Sequence, residues 1–141
     1  MNGFLLDTNV ISELVKPRPE PKVAGWISAT DEALLYLSVL TLGEIRKGIA
    51  AVAHASRRAE LEAWLERDLR FRFAGRILPI DEAVADRWGW IAGRAQAKKT
   101  LVPAIDGLLA ATALDYNLTF VTRNAGDVAA TGVSVFNPWE G

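Results

Sequence analysis

The hydrophobic positions of this chain change period several times between its ends. Gly3 to Leu6 is a short unbroken apolar run, and Val10, Ile11, Leu14 and Val15 then recur at helical spacing. That pattern predicts a strand followed at once by a helix. The stretch KPRPEP (16–21) stops this helix, because proline interrupts helical backbone and biases the residue before it to extended forms. Pro21 suits the first turn of a second helix, which runs through Trp26 and Ile27. ALLYLSVL (33–40) reads as a second strand, and TLGEIRKGIAAVA (41–53) as a helix with Leu42, Ile45, Ile49 and Val52 on one face. From Ser56 to about Phe73 the pattern predicts one long amphipathic helix, with Leu61, Trp64, Leu65, Leu69 and Phe71 facing inward.

Gly75 breaks that helix, RILPI (76–80) is a third strand, and Asp81 caps a helix carrying Val84, Trp88, Ile91 and Ala95. Pro103 opens another helix, through Ile105, Leu108, Leu109, Thr112 and Leu114, ending near Tyr116 and Asn117. LTFVT (118–122) is a strand, Asn124 to about Ala130 a short helix ended by Gly132, and VSVF (133–136) the last strand. Strands alternating with helices argue for an α/β fold with a mostly parallel sheet of about five strands. The strands are apolar throughout rather than alternating, as expected when helices cover both faces in three αβα layers. With no linker, repeat or low-complexity segment, residues 1–141 read as a single domain.

Composition narrows the chemistry. The chain has no cysteine and a single histidine, His54. Thiolate nucleophiles, a histidine triad and Cys/His metal sites within one chain are therefore excluded. Catalysis has to run on carboxylates, hydroxyls, Lys or Arg. The formal net charge of -1 does not advertise a basic nucleic-acid-binding domain, though a local patch can be basic within a neutral whole. The opening MNGFLLD lacks a basic leader, and no apolar run is long enough to span a bilayer. These features predict a cytoplasmic protein with no membrane association.

In open α/β sheets, ligands sit outside the carboxyl ends of the strands. The residues expected there are Asp7, Thr8 and Asn9 after the first strand, Ser38, Thr41 and Glu44 after the second, and Thr122, Asn124 and Asp127 after the fourth. Asp106 lies near the start of the helix after Pro103, in the apolar setting AIDGLLAATAL. Each acid alone has a local explanation. Asp7 suits a helix cap, Thr41 and Glu44 have capping-box spacing, Asp106 complements a helix dipole, and Asn124 and Asp127 repeat the cap spacing. Together they converge on one end of the sheet. Clustered carboxylates repel, more so when desolvated, and are kept where something positive fills the space between them. With no His or Cys, that is a hard, oxygen-seeking divalent cation, Mg²⁺ or Mn²⁺, able to activate water against a phosphodiester.

The set FLLDTNVISEL, LSVLTLGEIRKGI, PAIDGLLAATAL and FVTRNAGDV resembles the PIN domain, in the branch of VapC and FitB toxins, over essentially the whole chain. The resemblance implies an Mg²⁺-dependent endoribonuclease that leaves a 5′-phosphate and a 3′-hydroxyl. It also implies a cognate, DNA-binding antitoxin encoded beside it. Carried over by position, Asp7, Glu44 and Asp106 match the metal-binding acids. The fourth position is open between Asp127, a carboxylate, and Asn124, an amide that orients ligands without supplying charge. Thr8, Asn9, Ser38 and Thr122 are then expected to hold supporting hydrogen bonds.

RNA phosphates need cations. Arg46 and Lys47 follow Glu44, Arg94, Lys98 and Lys99 approach Asp106, and Arg123 adjoins the fourth position. Trp26, Trp64 and Trp88 fall at core-facing positions. Trp90 points away from them, which marks a homodimer surface or partner groove, and Trp139 seals the last strand. Two other readings remain open. In one, the chain is a subunit of a DNA-binding toxin–antitoxin complex with little RNA turnover. In the other, Asp7 is a phosphoryl-accepting nucleophile, against which Asn9 stands where a second acid would be needed.

Overall fold

The computed structural model describes residues 2–141. Five strands alternate with helices: β1 (Phe4–Leu6), α1 (Thr8–Leu14), α2 (Pro21–Ala29), β2 (Leu35–Ser38), α3 (Val39–Ala50), α4 (Ala55–Ala63), α5 (Arg70–Arg72), β3 (Ile77–Leu78), α6 (Glu82–Ala97), α7 (Ala104–Asp115), β4 (Thr119–Val121) and β5 (Val135–Phe136). The sheet order is β3-β2-β1-β4-β5. All four pairings are parallel, with Phe4 opposite both Leu35 and Thr119. The expected α/β sheet of five strands is therefore fully parallel.

Strand side chains alternate between two cores. Leu6, Leu35, Leu37 and Val121 join Val10, Ile11, Val23, Ile45 and Ile49 on one face of the sheet. Leu5 and Phe120, with partly buried Tyr36, join Leu109, Ala110 and Ala113 of α7 on the other. Because side chains along a strand point to opposite faces, apolar cover on both sides requires apolar residues at every strand position. This is why FLL and LYL show no alternation. Each fully buried Leu contributes roughly 2 kcal/mol of burial free energy.

Several expected boundaries move, each for a local reason. The run 33–40 is not one strand. A 3₁₀ turn, Glu32–Leu34, precedes β2, and Ser38 ends it. The Ser38 hydroxyl accepts the Leu40 N–H at 3.0 Å and caps α3 two residues before its expected start. Glu44 thus lies inside α3, and the Thr41–Glu44 capping box does not form. The expected helix 56–73 contains a π-helical stretch, Trp64–Leu69, between α4 and α5. The wider i→i+5 turn rotates the residues after it, so Phe71 is 85% exposed and Phe73 is fully buried in its stead. The expected helix at Asn124–Ala130 is a 3₁₀ run, Ala125–Thr131, ended by Gly132 in the left-handed region at φ 80°.

Trp26 and Trp64 pack against the first core as expected, while Trp88 is only half-buried, against Gly107 at the start of α7. Trp90 is 69% exposed. The beginning of β1 is tight. A Cβ on Gly3 would stand 2.5 Å from the Leu34 carbonyl oxygen and 2.8 Å from the Tyr36 ring. The backbones there would have to separate. Gly3→Ala is expected to destabilise the protein by about 1–3 kcal/mol in denaturant unfolding. Gly25→Ala, inside α2 with open space around it, is expected to leave stability unchanged or raise it by up to about 1 kcal/mol.

Candidate active site

Three central strands end on polar residues: Asp7 directly after β1, Ser38 at the end of β2 and Thr122 directly after β4. Parallel pairing brings these ends to one edge of the sheet, and the pairing continues one step further, since the Asp7 N–H donates to the Val121 carbonyl at 2.9 Å. Asp7 is 7% exposed and Thr122 is 1% exposed. A carboxylate so placed needs donors. Asp7 Oδ1 accepts the Thr8 N–H at 2.7 Å, which also caps α1. Its Oδ2 accepts the Thr122 hydroxyl at 2.7 Å and Asn9 Nδ2 at 3.3 Å. The cap and the charged wall of a site are thus the same carboxylate.

The second acid arrives from α3. Glu44 Oε1 accepts the Thr8 hydroxyl at 2.5 Å, and that hydroxyl also lies 3.3 Å from Thr41 Oγ1. Thr8 therefore ties the first turn of α1 to α3. The third acid, Asp106, sits in the first turn of α7. Asp7, Glu44 and Asp106 share one open cleft of about 390 Å³ with Thr8, Asn9 and Asn124. Burial, opposed by the Thr122 and Thr8 hydrogen bonds and reinforced by the Asp106 and Glu44 charges, pushes the Asp7 carboxyl up to about 6. Asp106 is raised by its own burial and then by the charges of Asp127 and Glu44.

At the fourth position, Asn124 lines the cleft, and its N–H donates to Thr122 Oγ1 at 3.0 Å. Asp127 is exposed, stands outside the lining, and reaches Asp106 through its field. Ser38 caps α3 and bonds to none of the acids. Arg46 pairs with Glu66 on the outer side of α3. Lys98 and Lys99 lie just past the end of α6 and do not line the cleft, and Arg123 does. Ser12, Glu13, Lys16 and Trp139 also line it, and sequence reasoning marks none of them as a site residue. A signal for the first three is present, since Asn9, Ser12, Glu13 and Lys16 have i, i+3, i+4, i+7 spacing on one face of a helix. Trp139 has no such signal.

The donor set suits a hard cation: all three converging side chains offer carboxylate oxygen, and Asp7 and Asp106 are protonated more readily than usual, chiefly because they are buried and then because carboxylates neighbour them. Among the described residues, no three carboxylates are close enough to enclose one ion by themselves.

The PIN domain model matches residues 4–130. This chain belongs to the PIN domain family. Its relatives include Toxin FitB of Neisseria gonorrhoeae, 42% identical over 96% of this chain and 98% of that protein. VapC ribonuclease Y4jK of Sinorhizobium fredii is 37% identical over 97% of this chain and 98% of its own length. The crystal structure of FitAcB from Neisseria gonorrhoeae superposes with a TM-score of 0.92 at 41% identity, covering 96% and 98% of the two chains. That of FitAB bound to a DNA fragment gives 0.90 at 40% identity, covering 96% and 95%. PIN-domain ribonucleases generally use divalent metals. Among the described residues of this member, no helix is long and apolar enough to cross a membrane.

The raised Asp7 carboxyl has a definite thermodynamic sign. Folded Asp7 titrates near 6 and its ordinary value is 3.8, so between these pH values the unfolded chain ionises first. Stability is expected to fall as pH rises through that window, by up to about 3 kcal/mol from this group. Thermal unfolding in EDTA between pH 4 and 7.5 checks this. Mg²⁺ held at a hundred times its pH 7 dissociation constant should restore about 2.7 kcal/mol at pH 7 and less at pH 5, and Asp7→Asn should remove the Asp7 share of the pH dependence and weaken the Mg²⁺ effect. Thr122→Val withdraws a donor from Asp7 and is expected to weaken Mg²⁺ binding by about 10–100-fold, measured by calorimetry.

Proposed function

We propose that this PIN domain is an Mg²⁺-dependent endoribonuclease acting as the toxin of a toxin–antitoxin pair, with Mn²⁺ able to substitute. The observation that carries the proposal is the convergence of Asp7, Glu44 and Asp106, from three separate elements, on one cleft, where burial first and neighbouring carboxylates second disfavour ionisation of Asp7 and Asp106. The relatives named as a FitB toxin and as VapC ribonucleases support the same activity.

One or two of Asp7, Glu44 and Asp106 would ligate the ion directly, and the remaining acid would reach it through its bound waters. When bound, it supplies Lewis acidity toward water and the phosphodiester oxygens. The chain does the positioning. Thr122, Asn9 and the Thr8 N–H keep the Asp7 carboxylate from rotating, and the Thr8 hydroxyl holds Glu44. Asn124 offers an amide to a water or a phosphate oxygen, and Asp127 adds negative potential behind Asp106. No side chain has to act as a nucleophile.

The partner is a DNA-binding antitoxin encoded adjacently, a reading supported by the FitAB complex solved bound to a DNA fragment. A homodimer fits the exposed apolar side chains of Val39, Trp90 and Leu101. A second reading keeps the same partner and drops turnover: the chain serves in a DNA-binding complex like the FitAB assembly solved on DNA.

Purified chain freed of partner should cleave single-stranded RNA with Mg²⁺ and not with EDTA. Asp7→Asn and Asp106→Asn should each lower the rate by at least about 100-fold, with folded circular dichroism spectra. Wild-type cleavage no faster than Asp7→Asn would favour the binding-subunit reading.

A further inference from the structure

The acids occupy only part of the cleft. Its remaining wall carries two cations, Lys16 and Arg123, each held by a dedicated neighbour. Lys16 Nζ bonds Glu13 Oε1 at 2.9 Å, and Glu13, 6% exposed, also accepts the Glu20 N–H at 3.0 Å. Glu13 thus anchors the ammonium from below, while the Lys16 side chain keeps access to solvent. Arg123 forms no ion pair among the described residues. Its guanidinium lies over the Trp139 ring, 5.2 Å from the centroid. The tail fixes that ring. Asn137 Oδ1 accepts the Trp139 N–H at 2.9 Å, Asn137 Nδ2 donates to the Arg123 carbonyl at 3.4 Å, and Trp139 packs on the first core. The Lys16 and Glu20 hydrogen bonds hold the Glu13 carboxyl below its ordinary value, and the Arg123 charge is near enough to Glu13 to add to this.

We infer that Lys16 and Arg123 form a phosphate clamp for an RNA phosphate flanking the one cleaved, with Glu13 and Trp139 as their positioning residues. This rests on the nuclease reading. A cleft holding Asp7, Glu13, Glu44 and Asp106 repels a polyanion, and an ion at the acids compensates the scissile phosphate alone. The next phosphate along the strand needs its own counter-charge. A guanidinium stacked on an aromatic face keeps its in-plane N–H donors free, and restriction of its rotamers is already met in the unbound protein. Lys16 complements it as a point charge. Neither Lys98, Lys99 nor Arg46 shares this cleft.

The test compares substrates with one and several phosphates. On a single-stranded RNA oligonucleotide, Arg123→Ala and Lys16→Ala should each raise KM about tenfold with kcat unchanged. On a dinucleotide, which contains only the scissile phosphate, both should match wild type. Trp139→Leu should behave like Arg123→Ala, and Trp139→Phe, which keeps an aromatic face, should recover most of the loss. Equilibrium binding of the oligonucleotide in EDTA, followed by fluorescence anisotropy, is independent of cleavage. There each alanine variant should reduce the salt slope by about 0.7. An unchanged KM and salt slope in Arg123→Ala, with wild-type cleavage intact, overturns the clamp alone. A wild type that binds RNA without cleaving it refutes the nuclease reading and leaves the slope to decide the clamp. A wild type that neither binds nor cleaves refutes both.

Discussion

The buried carboxylate of Asp7 is the group on which the remaining architecture depends. It ends the central strand, caps the first helix, and draws Thr122 and Asn9 toward itself by hydrogen bonds. A charge so poorly hydrated is costly, and its raised titration shows that three donors do not fully offset the desolvation. The protein accepts a destabilised residue at the carboxyl edge of its sheet. Such residues collect at functional sites, where the missing compensation comes from a ligand.

The sheet makes this placement inevitable once its strands are parallel. Strands β2, β1 and β4 lie side by side and point the same way, so their carboxyl ends and the first residues beyond them meet at one edge. Helices on both faces bury most positions of the three central strands, which leaves that edge as the place where their polar residues reach solvent. The Thr8–Glu44 bond then joins α1 to α3 across the edge. It ties the start of α1 to the interior of α3, so the spacing between Asp7 and Glu44 is set by packing rather than by flexible side chains.

The opposite wall comes from the last residues of the chain. Asn137 and Trp139 fold back against the first core and present a ring beneath Arg123. The cleft therefore has an acidic part, built by strand ends, and a cationic part, built by the end of α1 and the tail. On the proposed reading, a substrate with several negative charges would meet both: the acids through an ion, the cations directly. Such a division would let a protein of net charge -1 receive a polyanion without a basic surface.

Much of this is legible in the residues alone. Two-sided burial leaves unbroken apolar strands, so FLL, LYL and TFV announce a helix-covered parallel sheet. The brief polar signals after them locate Asp7, Thr8, Asn9 and Thr122, and the motifs around Glu44 and Asp106 carry the family resemblance. Other features need three dimensions. The capping box at Thr41 has the right spacing, but Ser38 starts the helix earlier, and only the competition between two caps reveals which one forms. The π stretch that exposes Phe71 and buries Phe73 is set by packing on the core, which periodicity cannot register. Asn124 and Asp127 are equivalent candidates until the 3₁₀ run turns one into the cleft and the other outward. Trp139 reaches the site from the far end of the chain, and long-range contact of that kind leaves no local pattern. Sequence determined the residue chemistry and the periodicity of the elements; tertiary packing decided which side chains share a solvent-poor space, because that depends on distances the chain order does not contain.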